Sequence, residues 1–106
     1  MMKHIVLLQF KESLTAQEIK EAFILLEGLG KTIPQIKSFK CGKYDSNEGM
    51  NHGFEYGFEI EFDNAEDRDI YLFHPDHVAV AGKVIPLLKN GTDSLMAFDY
   101  DPTKGL

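Results

Sequence analysis

Phe54-Glu55-Tyr56-Gly57-Phe58-Glu59-Ile60-Glu61-Phe62 alternates five large apolar side chains with three glutamates and one glycine. Successive side chains of an extended strand point to opposite faces, so this stretch buries one face and leaves the other acidic or bare. A strand of that kind belongs to a sheet packed on one side, and the remaining segments must supply the cover.

Moving toward the N-terminus, Tyr44 to Gly53 has the Asp, Ser, Asn and Gly content of a loop. Ile36 to Lys43 (IKSFKCGK), introduced by Pro34, reads as a second strand. Thr15 can cap a helix with Glu18 as its capping-box partner, and Ile19, Ala22, Phe23, Leu26 and Leu29 recur at helical spacing until Gly28 to Gly30. Lys3 to Lys11 (KHIVLLQFK) predicts a strand with His4, Val6, Leu8 and Phe10 on one face. Toward the C-terminus, Asp63 or Asn64 caps a helix over Ala65 to Phe73. That helix is broken at His74, because the residue before a proline is pushed out of the helical region. Pro75 then opens a renewed helix whose stripe of Val78, Ala81, Val84, Ile85 and Leu88 runs toward Asn90 and Gly91, and a last strand spans about Asp93 to Tyr100. The order β-α-β-β-α-β is that of a ferredoxin-like α+β sandwich, a four-stranded antiparallel sheet with helices on one face. Residues 1–106 make one domain, without repeat, linker or low-complexity segment.

The size suits a single modest core. Eleven Lys and Arg against seventeen Asp and Glu give a formal charge of -6, and the basic residues are scattered, which argues against nucleic acid and anionic membrane as partners. No leader with a cleavage site and no bilayer-length apolar run stand out, so a soluble, cytoplasmic protein is expected. The lone Cys41 cannot close an internal disulfide and reads as an ordinary strand residue. In the first strand Ile5 and Leu7 oppose Val6 and Leu8, and in the last Leu95 and Ala97 oppose Met96 and Phe98. Strands apolar on both sides predict that both sheet faces are covered, as in a homodimer packed sheet against sheet.

Chemistry concentrates in Tyr71-Leu72-Phe73-His74-Pro75-Asp76-His77, which gathers a phenol and two of the four histidines around one helix start. Imidazole titrates near neutrality. His77, in the first turn of the renewed helix, sits where the helix dipole disfavours imidazolium, so a neutral base for an acidic C–H flanked by ketones is expected there. Tyr71 could hydrogen-bond that imidazole or donate to a carbonyl, His4 could hold a second oxygen, and Phe10, Phe23, Leu26 and Val84 would shape the cavity. Structural roles also fit these residues: His74 as a helix cap, His77 as a satisfied half-buried side chain, His4 as a polar residue near a strand end, Tyr71 as a core aromatic with its hydroxyl at the surface. His52 lies in a polar loop and reads as solvated. A metal site built from His4, His74 and His77 has no evident carboxylate ligand, and no phosphate-binding, dinucleotide, Ser-His-Asp or paired-Cys motif is present, so neither metal nor cofactor is expected.

The opening KHIVLLQFK, the I-P-x-I-x-S-F-x-x-G run from Ile33 to Gly42, the Y-x-x-H-P-x-H-V segment from Tyr71 to Val78 and the closing Phe98-Asp99-Tyr100 together resemble the Dabb family of stress-responsive dimeric A/B barrels. The resemblance spans essentially the whole chain. It implies ferredoxin-like protomers whose sheets pair into a dimeric α/β barrel. For the family's polyketide cyclase it implies an intramolecular aldol condensation without metal or organic cofactor, the catalytic histidine falling at His77, its tyrosine partner at Tyr71 and a pocket histidine at His4. A further pocket tyrosine falls at Leu26, so one hydrogen-bonding group is missing. The expected function is a small-molecule site for an apolar ketone-bearing or aromatic ligand, cyclase- or lyase-like if catalytic. The other classes are a non-catalytic ligand-binding or structural dimer, a metal-binding protein, and a cofactor-free monooxygenase, whose typical oxygen-activating tryptophan has no counterpart in a chain without Trp.

Overall fold

Each helix starts where its sequence supplies an acceptor for the free backbone N–H groups. In the computed structural model, which describes residues 1–106, Thr15 Oγ1 accepts from the Glu18 N–H at 3.1 Å while Glu18 Oε1 accepts from the Thr15 N–H at 2.9 Å. This closed box opens α1 (Ala16–Gly28). Asn64, rather than Asp63, caps α2 (Ala65–Phe73) by accepting from the Asp67 N–H at 2.8 Å. At His74 the backbone turns extended (ψ 133°), and α3 (Pro75–Val84) begins with proline at its first position. His74 Nδ1 accepts from the Asp76 N–H at 3.0 Å, the capping role open to it from the sequence.

Four strands, β1 (Met2–Leu8), β2 (Ser38–Lys43), β3 (Tyr56–Phe62) and β4 (Leu95–Tyr100), form one antiparallel sheet in the order β2-β3-β1-β4. This is the ferredoxin-like arrangement expected. The helices cover the face to which β1 turns His4, Val6 and Leu8 and β3 turns Phe58, Ile60 and Phe62, all buried. Ile60 and Phe62 are 0% exposed, which makes β3 the floor of the core. On the opposite face, Gly57 is bare for a reason: a Cβ there would meet Leu7 Cδ2 at 3.1 Å and the Val6 carbonyl oxygen at 3.3 Å.

All four strands have limits that differ from the sequence reading. β1 ends at Leu8 because Gln9 to Lys11 pair with another segment: Gln9 N–H donates to the Ser94 carbonyl, Lys11 N–H to the Leu87 carbonyl, and Phe10 bridges Leu88. β4 begins at Leu95, since Gly91–Ser94 form a tight helical turn entered through the positive φ of Gly91 (57°). β2 and β3 are each two residues shorter at their N-termini than Ile36 and Phe54.

The other sheet face is uncovered in the single chain. Its β1–β4 half is apolar, with Met96, Phe98 and Tyr100 at 49%, 61% and 42% exposure beside Ile5 and Leu7. Its β2–β3 half is charged, Glu59 and Glu61 of β3 pairing with Lys3 of β1. No helix is long and apolar enough to cross a membrane.

Candidate active site

β1 and β4 run in register so that His4 lies opposite Asp99. His4 is only 5% exposed, and its Nδ1–H donates to Asp99 Oδ1 at 2.7 Å. Arg68, from α2, donates through Nη1 to Asp99 Oδ2 at 3.1 Å, so both carboxylate oxygens are engaged. An ionised carboxylate only accepts, which places the His4 proton on Nδ1 and leaves Nε2 free.

The same logic fixes His77. Its Nδ1 lies 3.0 Å from the Leu72 carbonyl, which only accepts, so Nδ1 carries the proton and Nε2 the lone pair. Burial pushes the His77 pKa below its ordinary value, the hydrogen bond to Leu72 opposes this, and His4 and His74 lower it further. Desolvation is therefore the first cause that favours a neutral ring.

Tyr71 sits between the two imidazoles, its ring centroid 4.3 Å from that of His77 and 5.7 Å from that of His4. It is 0% exposed, so the sequence alternative with a surface hydroxyl does not apply. The hydroxyl makes no hydrogen bond to His77 or to any other group of the chain. Burial pushes its phenol well above the ordinary range, which keeps it a donor. A buried hydroxyl without a partner destabilises a fold by about 1–3 kcal/mol. Tyr71→Phe is therefore expected to raise stability by about 1 kcal/mol, or about 4–8 °C in Tm, while weakening any ligand held by that hydroxyl. Thermal denaturation checks it: a lower Tm would mean that the hydroxyl is already satisfied.

The three side chains face a cavity of about 190 Å³ between sheet and helices, otherwise lined by apolar groups including Leu26, Val84 and Leu95. Phe10 and Phe23 lie outside its lining. They pack edge to face on each other at 5.9 Å and against Tyr56 at 5.5 and 6.0 Å. A larger depression of about 450 Å³ on the open sheet face, lined by Leu7, Gly42, Met50 and Met96 among others, has only the exposed His52 as an imidazole. Chemistry rather than volume thus locates the site. No group of three or more His, Cys, Asp or Glu side chains is placed to hold a metal ion.

Sequence reasoning passed over Asp99 and Arg68. The signal for Asp99 was its parity: it shares the inward side of β4 with Leu95 and Ala97, and an acid on an apolar face calls for a buried partner. Nothing local marks Arg68, whose partner lies thirty-one positions away.

Residues 2–102 match the family model described as the Stress responsive A/B Barrel Domain, Dabb. Over 102 residues the chain is 28% identical to olivetolic acid cyclase of Cannabis sativa, covering 96% of this chain and 97% of the cyclase. It is 30% identical over 101 residues to the stress-response A/B barrel domain-containing protein HS1 of Arabidopsis thaliana, covering 95% and 89%. Among solved structures, a dimeric ferredoxin-like protein of unknown function from Jannaschia superposes with a TM-score of 0.84 at 27% identity, covering 94% of this chain and 97% of that one. With the sheet order, the capped helices and the match over nearly its whole length in hand, the chain belongs to the Dabb family of stress-responsive A/B barrel domains.

Proposed function

We propose that the cavity binds a small, largely apolar carbonyl compound and performs cofactor-independent acid–base chemistry on it, in a homodimer. The observation that carries the reading is the Tyr71 hydroxyl, fully buried and without a partner, on a ring whose centroid is 4.3 Å from that of His77. A ligand carbonyl oxygen accepting from that hydroxyl would satisfy it. His77 Nε2 then takes a proton from the carbon next to the carbonyl, and the negative charge passes to the oxygen held by Tyr71. The enolate either recovers the proton from His77 or attacks a second carbonyl, whose alkoxide oxygen takes that proton as the new C–C bond forms. His4 lines the same space, and its nitrogen not bonded to Asp99 can accept a hydrogen bond from a ligand hydroxyl, holding a second oxygen. The similarity to olivetolic acid cyclase supports this chemistry, His77 and Tyr71 being the residues implied by the H-P-x-H segment. Support for the homodimer comes from the exposed apolar half of the open sheet face and from the dimeric relative in Jannaschia.

The test is deuterium exchange. Incubated in D₂O with acetophenone or another simple methyl ketone, the protein is expected to exchange the protons next to the carbonyl faster than buffer, followed by loss of the methyl proton NMR signal. Exchange at the buffer rate together with unmoved His4 and His77 ring signals would favour a non-catalytic dimer whose H-P-x-H corner serves the fold.

A further inference from the structure

Three features of the cavity bear on what it holds, and the inference rests on the ligand-site reading above. The first is polarity along the strands. β1 and β4 pair His4 with Asp99, Val6 with Ala97 and Leu8 with Leu95. At about 3.4 Å per residue, Leu8 lies about 14 Å from His4. His4, with the Tyr71 ring 5.7 Å from its own, therefore sits toward one end of a slot whose other end is apolar.

The second feature is charge. No Lys or Arg lines the cavity, so an anionic head group would be desolvated without a counter-ion. A cationic head group fares no better, because the neighbouring carboxylate, Asp99, already spends Oδ1 on His4 and Oδ2 on Arg68. Arg68 thus cancels the one charge that could recruit an amine.

The third is size. The cavity holds about 190 Å³. A cavity of about 150 Å³ takes benzene, which leaves room here for one ring and a short substituent but not for a fused bicycle.

We propose that the ligand is a neutral, compact carbonyl compound, a single ring or an equally short chain with its oxygen at Tyr71 and its apolar end toward Leu8 and Leu95, and that Arg68 sets the preference for a neutral head group by neutralising Asp99. The ring C–H signals of His4 and His77 are followed while acetophenone, ethylbenzene, benzoate, benzylammonium and 2-acetonaphthone are added to the full-length protein. Acetophenone is expected to give saturable shifts, and each of the other four to bind about tenfold more weakly or worse. Any of those four binding as well as acetophenone would overturn this inference and leave the ligand site standing. Shifts from none of the five would sink the site with it. In Arg68→Met, which frees Asp99 Oδ2, benzylammonium is expected to gain about fivefold or more on acetophenone. An unchanged ratio in a variant with native strand chemical shifts would remove Arg68 from the argument.

Discussion

With His77 replaced by alanine, deuterium exchange next to the carbonyl of a bound methyl ketone is expected to fall by about 10²–10⁴-fold, the usual contribution of a positioned general base. The reason is geometric. Tyr71 keeps its proton because burial raises its phenol, and His77 Nε2 carries a lone pair because Nδ1 is tied to the Leu72 carbonyl. A loss smaller than about tenfold would move the base to His4, the other imidazole with a free Nε2. The wild-type pH profile gives an independent check. Exchange needs neutral His77, whose pKa is lowered by burial, so the rate is expected to hold below the ordinary histidine value of about 6.5 and to fall only under the depressed one. Stability carries the same sign. The unfolded chain takes up this proton at about 6.5 and the folded chain resists it, so the contribution is complete above that pH and is lost as pH falls through the folded pKa.

Phe98→Glu is expected to weaken the proposed homodimer by about thirtyfold or more while leaving exchange per protomer unchanged. Phe98 is 61% exposed in the single chain, centred between Met96 and Tyr100 and opposite Ile5 in register. A two-fold axis through such a patch sets it against itself, so one substitution places two carboxylates in a desolvated contact. Central aromatic anchors typically account for 2 kcal/mol or more, roughly the thirtyfold stated. Exchange is spared because the cavity opens on the opposite face of the sheet, where His4 and Val6 alternate with Ile5. Sedimentation velocity across a dilution series measures the change. A variant as dimeric as the wild type would place the interface elsewhere, and loss of exchange along with the dimer would tie the site to assembly.

The β-α-β-β-α-β order was legible because each element carries its own local signal. The capping box at Thr15 and Glu18, the two-residue period of β3 and the proline after His74 require no knowledge of the rest of the chain. Limits set by distant partners were not legible in that way. Gln9 to Lys11 look like a continuation of β1, and only their bonds to Leu87, Lys89 and Ser94 draw them off the sheet. The site divides along the same line. His77 and Tyr71 share one short segment and His4 sits on the strand beside it, whereas the Asp99 and Arg68 arrangement depends on the β1–β4 register and on how α2 packs against β1 and β3. Phe10 and Phe23 were assigned to the cavity because they are large and apolar. Their rings find each other and Tyr56 instead.

Within β1, His4, Val6 and Leu8 serve the cavity, while Lys3, Ile5 and Leu7 serve the open face. One short run of codons thus writes two surfaces in alternating letters. Deleting or inserting a single codon inside it would exchange the two sets, turning the imidazole outward and an isoleucine inward, although every residue type would still be present. Point substitutions here can be read one surface at a time, but changes in length cannot. The tract from Asp45 to Glu55, outside any strand or helix, is where length can drift without that penalty.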